Sequence, residues 1–330
     1  MKRLLSLGLA ASLALTAIMS GCSGGTEKIR IGEVTRSLFY APQYVALEKG
    51  FFKEEGLEVE LSTTWGGDKT MTALLSDGID VALVGSETSI YVAQQGAQDP
   101  VINFAQLTQT DGTFLVSRKK IANFSFDQLK GTVFLGQRKG GMPQMVGEYV
   151  LKKNKVDPHA DLELIQNIEF KNVASAFASG TGEFVQLFEP EASQFELNGI
   201  GHVVASFGKE SGTVPYTVFM TKQSYLDKHQ TAIQKFTNAI YKGQQWVASH
   251  SAKETADLIA PYFQDIKPEI LESSIKRYLE QGSFATDPIL DENEWKQLQD
   301  IMDSAGELKQ RMDYAQLVNT TFAKTAKEGK

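Results

Sequence analysis

Residues 65–91 read WGGDKTMTALLSDGIDVALVGSETSIY, and this stretch carries the clearest strand and helix signals in the chain. After a Gly-Gly turn comes a predicted short helix, with Asp68 as its N-cap and Gly78 as a left-handed C-cap. The apolar run at 80–84 predicts a buried strand, and Gly85 begins the turn into the next helix. Two loops therefore open toward one edge of an α/β sheet, where helix N-termini present unpaired N–H groups and ligands bind.

The alternation of strand and helix continues on both sides of this stretch. Strands are predicted at residues 28–34, 56–62, 100–105, 114–116, 132–135, 162–168, 184–188, 202–205 and 216–220. A chain of 330 residues is long enough for two domains, and we place the crossings between them near 111–113 and 213–216. After residue 222 the pattern is helical, through segments at 252–262, 268–280 and 291–324. The longest helix places Ile233, Phe236, Ile240, Gly243 and Val247 on one stripe.

The N-terminus has the pattern of a secretory signal. Lys2 and Arg3 precede an apolar stretch at 4–19 that is too short for a typical membrane span. Small residues then lead to Cys22, as in the lipobox of bacterial lipoproteins, although an ordinary cleaved signal with an incidental cysteine is the alternative. Cys22 is the only cysteine, so an internal disulfide is excluded.

Composition and motifs argue against several classes of protein. Cleavage of the signal would remove Lys2 and Arg3 and take the net charge from −7 to −9, which disfavours a nucleic-acid partner. The four histidines are scattered, so no metal site and no cofactor is expected. The glycine loop at 136–141 lacks the lysine and hydroxyl residue of a nucleotide-binding loop. It opens a predicted helix, and with Arg138 and Lys139 it could seat an anionic group, unless both are solvated surface charges.

Other candidate contacts lie in loops at the same predicted edge. Tyr40 and Trp65 could stack on a flat ligand or could belong to the core. Glu87 and Glu189 favour a ligand with hydrogen-bond donors if they face the cleft. They indicate nothing about the ligand if they cap helices or pair with Arg36 and Arg138.

The order of these segments resembles a known family. Residues 39–52 (FYAPQYVALEKGFF), 55–59 (EGLEV) and the opening stretch are similar to the solute-binding proteins of ABC importers. The most similar branch handles sulfonates, nitrate, taurine and thiamine-pyrimidine precursors (NMT1/THI5-like). The chain departs from sulfonate binders at 188–191, which reads FEPE where they carry a Trp-Asp-Pro-Tyr-like phrase. The cysteine-rich motif of the pyrimidine-synthesising enzymes is absent.

The resemblance implies an α/β fold of two lobes, like that of periplasmic binding proteins, with the ligand between them. It implies a signal peptide at 1–21, a tether at 22–27, lobe I at 28–112 and 217–330, and lobe II at 113–216. The implied ligand-binding residues are Ser37, Phe39, Tyr40, Trp65, Gly66, Gly67, Asp68, Ser86, Glu87, Gln109, Gly140, Gly141, Met142, Gln186 and Glu189.

On this basis we expect a lipid-anchored monomer on the extracytoplasmic face of the cell membrane, acylated at Cys22. It would capture a small polar organic solute, sulfonate-like, sulfur-containing or pyrimidine-like, and deliver it to ABC permease subunits without catalysis. One alternative is an exported enzyme that uses Asp68, Glu87 and Glu189 as acid and base. Another is a lipoprotein that senses a ligand for a receptor kinase.

Overall fold

A computed structural model describes residues 27–329. The predicted signal peptide, Cys22 and nearly all of the tether lie outside this range. Within it, ten strands form two sheets. They are β1 (Glu27–Glu33), β2 (Leu57–Thr63), β3 (Val81–Gly85), β4 (Val101–Thr108), β5 (Phe114–Ser117), β6 (Val133–Leu135), β7 (Glu163–Ile165), β8 (Phe184–Leu187), β9 (His202–Ser206) and β10 (Thr217–Lys222).

The two sheets share one plan. The first has the order β2-β1-β3-β10-β4 and the second β7-β6-β8-β5-β9. In each sheet the central strands are parallel, and the strand that follows a crossing is inserted antiparallel: β10 between β3 and β4, and β5 between β8 and β9. The predicted two-lobed α/β fold is therefore confirmed, and the carboxyl ends of β1, β3, β6 and β8 supply the candidate loops.

Fifteen α-helices surround the sheets in the described range. They are α1 (Ala41–Glu48), α2 (Phe51–Glu54), α3 (Gly67–Leu75), α4 (Glu87–Gln94), α5 (Met142–Lys153), α6 (Val173–Ala178), α7 (Glu191–Leu197), α8 (Phe207–Ser211), α9 (Gln223–Lys228), α10 (Gln230–Ser249), α11 (Ala252–Ile259), α12 (Pro268–Gln281), α13 (Glu292–Ser304), α14 (Tyr314–Leu317) and α15 (Thr321–Glu328). The stripe predicted on α10 is buried, and Phe236 packs its ring against Phe52, Phe104 and Phe219.

Three local predictions were wrong. Gly66, at φ 143°, caps α3 where Asp68 was expected, and Asp68 lies in the first turn. The left-handed residue after α3 is Asp77 at φ 61°, not Gly78. Gly78 instead meets the Ala73 carbonyl, which would lie 3.2 Å from a Cβ there. The helical pattern at 291–324 is three helices, because Gly306 at φ 72° follows the end of α13.

Two crossings join the sheets, at residues 109–113 and 207–216, and α12 bridges them. The Tyr278 hydroxyl on α12 donates to the Gly112 carbonyl at 3.2 Å and accepts from the Glu189 backbone N–H at 3.1 Å. On the opposite side, Gln297 of α13 donates to the Tyr149 hydroxyl of α5 at 3.2 Å. The lobes are therefore closed against each other in this structure.

The first crossing is tight at Gly112. A Cβ at this position would lie 2.9 Å from the rings of both Phe39 and Phe188, which belong to different lobes. Replacing Gly112 with alanine and then valine should lower the free energy of unfolding progressively, by about 1–3 kcal/mol for the larger side chain. Urea denaturation followed by circular dichroism measures this. Equal stability of the three proteins would show that the rings can move away at no cost.

Candidate functional site

The candidate site lies where α4 and the β1–α1 loop of the first lobe face the N-terminus of α5 in the second. The Tyr91 hydroxyl on α4 donates to the Gly140 carbonyl at 3.2 Å. One turn earlier on α4, the Glu87 carboxyl lies at the backbone N–H of Met142, the first residue of α5. The structure thus brings together Glu87, Gly140, Gly141 and Met142, which the sequence predicted from separate loops.

Glu87 is buried, with 5% of its surface exposed. Its carboxyl folds back over Gly85, where a Cβ would lie 2.1 Å from Oε2. Oε2 has no hydrogen-bond partner in the described part of the chain. Burial raises the pKa of Glu87 to about 8, opposed by the backbone N–H groups of Glu87 and Met142. A carboxyl group therefore occupies the helix N-terminus at which the sequence suggested a seat for an anion.

A second carboxyl, Asp111, lies on the first crossing and is fully buried. Its Oδ1 accepts from the Thr113 backbone N–H at 2.7 Å and from the Thr113 hydroxyl. Burial raises the pKa of Asp111 to about 6, opposed by these hydrogen bonds. The other oxygen, Oδ2, has no hydrogen-bond partner within residues 27–329.

Tyr216, on the returning crossing, connects the two carboxyls. Burial raises the pKa of Tyr216 well above its ordinary value, and the negative charges of Asp111 and Glu87 raise it further. Its hydroxyl faces Asp111, yet the two do not form a well-aligned hydrogen bond, and the hydroxyl has no other described partner. Tyr40 is also buried beside these groups. Two acids and two phenols therefore share one buried region between the lobes.

Phe39 forms the apolar side of this region. Its ring is 6.0 Å from that of Phe188, 5.5 Å from that of Tyr216 and 5.1 Å from that of Tyr278, measured between centroids. The ring is 1% exposed, so it belongs to the packed junction between the lobes. Phe39 thus contacts both lobes whether or not it also contacts a ligand.

Comparisons with known proteins identify the family and the fold. A model of the NMT1-like family matches residues 23–261. The chain belongs to the NMT1-like family. It is 63% identical over 327 residues to "Putative binding protein YtlA" of Bacillus subtilis (strain 168), with 98% of each chain covered.

Two solved structures show the same fold as this NMT1-like protein. One is the alkanesulfonate-binding protein SsuA from Xanthomonas axonopodis pv. citri bound to MOPS, with a TM-score of 0.71 and 17% identity over 90% of this chain and 99% of that one. The other is the periplasmic nitrate-binding protein NrtA from Synechocystis PCC 6803, with a TM-score of 0.72 and 17% identity over 92% and 89%. At these identities the likeness shows the fold alone.

The first strand of the NMT1-like protein ends at Glu33, a residue that the sequence analysis did not single out. Glu33 is fully buried and accepts from Arg36, Gln43, Tyr44 and Thr63, at 2.7 to 3.0 Å. Burial raises the pKa of Glu33, and these hydrogen bonds oppose the shift. Glu33 therefore anchors the loop that carries Phe39 and Tyr40. Ser37, in the same loop, accepts from the Phe39 backbone N–H at 3.2 Å and acts as a turn cap.

The side chains of four predicted ligand-binding residues form hydrogen bonds or an ion pair within the protein. Ser86 donates to the Pro215 carbonyl, and Gln109 donates to the Gly282 carbonyl at 3.0 Å. Gln186 donates to Thr113 at 2.7 Å and to the Pro143 carbonyl at 2.8 Å. Glu189 pairs with Arg277 at 2.8 Å, not with Arg36 or Arg138. These side chains fix the crossings and the second lobe, and their contact with a ligand stays a prediction.

The remaining predicted residues, Gly66, Gly67, Trp65 and Asp68, lie on or beside the first turn of α3. Trp65 is 62% exposed, so it is not a core residue. Asp68 reaches Arg138 of the second lobe at 3.5 Å, and Arg138 also approaches Glu169 at 3.9 Å. Because both partners are largely exposed, this pair should add little to stability.

We expect the burial of Glu87 to make stability depend on pH. Its folded pKa is raised, so the contribution is fully present below the unfolded value and is lost as pH rises through about 8. The melting temperature should fall between about pH 5 and pH 8, less steeply in Glu87→Gln, with no further fall due to Glu87 above about pH 8. Burial of Asp111 should also lower the melting temperature as pH rises, but at lower pH, up to about 6. Melting temperatures of the two proteins that change in parallel between about pH 5 and pH 8 would contradict the assignment.

Proposed function

We propose that the protein is an extracytoplasmic solute-binding lipoprotein that captures a small polar organic solute and delivers it to an ABC import permease. The observation that carries this proposal is the buried polar region between two closed lobes, built from Tyr40, Glu87, Asp111 and Tyr216. A solute that touches both lobes favours their closure, because it binds the closed state more tightly than the open one.

The comparisons support the same role. The relative is named as a binding protein, and the two structural neighbours are named for binding alkanesulfonate and nitrate. None of the helices in the described range has the length and apolar character needed to cross a membrane. Attachment through an acylated Cys22, on the outer face of the cell membrane, is part of the proposal.

The arrangement of the carboxylates favours binding over catalysis. The enzyme alternative needs Asp68, Glu87 and Glu189 to act on one substrate. Glu189 is instead satisfied by Arg277, by the Ser193 backbone N–H at 2.9 Å and by the Ser274 hydroxyl at 3.3 Å. Asp68 is mostly exposed at the rim.

Thermal melting of the chain from Ser23 onward, against a panel of solutes, tests the proposal. The panel contains sulfonates, sulfur amino acids, nitrate, pyrimidines, flavins and small amines. A solute that binds only the folded state must raise the midpoint once its concentration exceeds its dissociation constant. Recovery of that solute chemically unchanged distinguishes a binding protein from an enzyme. If no solute in any class raises the midpoint, and none co-purifies by mass spectrometry, the proposal fails.

A further inference from the structure

The chemistry of the buried region restricts the class of solute, on the basis of the proposed function. Three buried polar atoms in it have no hydrogen-bond partner among the described residues: Glu87 Oε2, Asp111 Oδ2 and the Tyr216 hydroxyl. Each belongs to a side chain that is at least nine-tenths buried. Leaving such atoms unpaired is costly. Asp111 Oδ2 and the Tyr216 hydroxyl face each other and can pair, so a partner from outside the chain is expected first at Glu87 Oε2. Two of the three are carboxyl oxygens, and an ionised carboxylate accepts hydrogen bonds but cannot donate them.

Direct contacts bring these groups into one part of the junction. The Phe39 ring lies 5.5 Å from that of Tyr216 and 6.3 Å from that of Tyr40, between centroids. The Tyr216 carbonyl accepts from the backbone N–H of Ser86, the neighbour of Glu87, at 3.2 Å. Glu87 in turn acts on Tyr40 and on Tyr91 across the same space. The groups come from the β1–α1 loop, from α4 and from both crossings. A molecule placed among them would contact each of these elements at once.

None of the cations around this region pairs with Glu87 or Asp111. Arg36 pairs with Glu33 at 2.8 Å and lies over the rings of Tyr44 and Tyr262. Arg277 is bound by Glu189 and Glu196. The two basic residues of the glycine loop, Arg138 and Lys139, are exposed. Within residues 27–329, no lysine or arginine side chain therefore neutralises Glu87 or Asp111 in this structure.

The N-terminus of α5 does not supply the positive charge that this region lacks. Helix N-termini attract anions, and this one faces the cleft. However, the Glu87 carboxyl already lies at the Met142 N–H. A bound anion would have to displace this carboxyl or lie against it, and at about pH 8 and above, where the carboxyl is ionised, both arrangements are unfavourable in a region of low dielectric.

We propose that the cleft binds a small solute with a cationic, N–H-bearing nitrogen that donates hydrogen bonds to Glu87 and Asp111, and that it discriminates against anions such as sulfonates and nitrate. The cation pairs with the ionised Glu87 and removes the cost of burying that charge alone. The tyrosine hydroxyls and the Phe39 ring complete a polar and an apolar wall.

Probes that share a shape but differ in charge test whether the cleft prefers a cation. Benzamidine, benzamide and benzoate share a ring and differ in charge, and propylamine and propanesulfonate give an aliphatic pair. Each is added to the wild-type chain at about pH 8 in thermal melts, beside the wider solute panel, and every hit is titrated by calorimetry. The proposal predicts that the hits are cations and that anions bind at least about 10-fold more weakly.

Variants assign the contact to residues. Glu87→Gln should weaken a cationic hit by about 10- to 100-fold, and Asp111→Asn should weaken it in the same direction. Glu148→Gln is the matched control, because Glu148 is also buried but its carboxylate is bonded to Gln144, Gln166 and His159. It should change the affinity by less than about twofold. Melts without solute show that each variant is folded.

The outcomes separate this inference from the proposed function. An anion or a neutral molecule as the tightest hit would overturn the cationic assignment and leave solute binding intact. A cationic hit that binds Glu87→Gln and Asp111→Asn as tightly as wild type would overturn the role of these residues. If neither the probes nor the panel shift the midpoint, the proposed function fails and this inference fails with it.

Discussion

Phe39→Ala is expected to lower the free energy of unfolding by about 3–5 kcal/mol, because it removes a fully buried ring from the junction of the lobes. The ring contacts those of Phe188 just after β8, Tyr216 on the returning crossing and Tyr278 of α12, so the cavity would open where the crossings pack. Urea denaturation followed by circular dichroism gives the value.

Trp65→Ala is the matched control for Phe39→Ala. Trp65 comes from a neighbouring predicted loop and has a larger ring, but it is 62% exposed. Its loss should change the free energy of unfolding by no more than about 0.5 kcal/mol. Equal losses in the two variants would contradict the distinction between a packed and an exposed aromatic.

Arg277→Ala is expected to lower the free energy of unfolding by a comparable amount, because it removes the counter-charge of a buried carboxylate. The Glu189 side chain is fully buried, and Arg277 is its cationic partner at 2.8 Å. Removing the arginine leaves a buried carboxylate without a counter-charge, which costs about 3–5 kcal/mol. Burial already raises the pKa of Glu189, and Arg277 opposes that shift.

Two further measurements identify the cause of the Arg277→Ala loss. Without the arginine the pKa of Glu189 should rise further, so the loss should shrink as pH falls and the carboxyl becomes protonated. Adding Glu189→Gln to Arg277→Ala should recover part of the stability, since no buried charge then lacks a partner. An undiminished loss in the double variant at all pH values would indicate that packing, not charge, is responsible.

The fold could be predicted because its signals are local. The Gly-rich turns, the apolar runs and the stripe on α10 each lie within a few residues of sequence, and these signals located every strand to within a few positions. Errors arose at helix ends. Gly66 rather than Asp68 caps α3, because the chain enters the helix at φ 143°, a conformation that favours glycine.

Only part of the candidate site could be predicted, because the side chains that meet in it are distant from one another in sequence. Glu87, Gly140 and Met142 were predicted to share one edge, since each follows a strand there, and the structure brings them together, while their contact with a ligand stays a prediction. Asp111 and Tyr216 were treated only as positions where the chain crosses between lobes, although they belong to the same buried region. Glu189 was proposed to face the cleft, but its partner Arg277 lies 88 residues further along. No pattern of spacing reveals such a pair.

Small-angle scattering on the chain from Ser23 onward, with and without a saturating solute found by thermal melting, tests the central claim most directly. The account predicts that the radius of gyration falls when the solute binds, that the solute is recovered unchanged, and that Glu87→Gln requires more solute for the same compaction. A radius of gyration that stays the same at saturation, or a solute recovered in altered form, would contradict a binding protein that closes its lobes over an intact molecule.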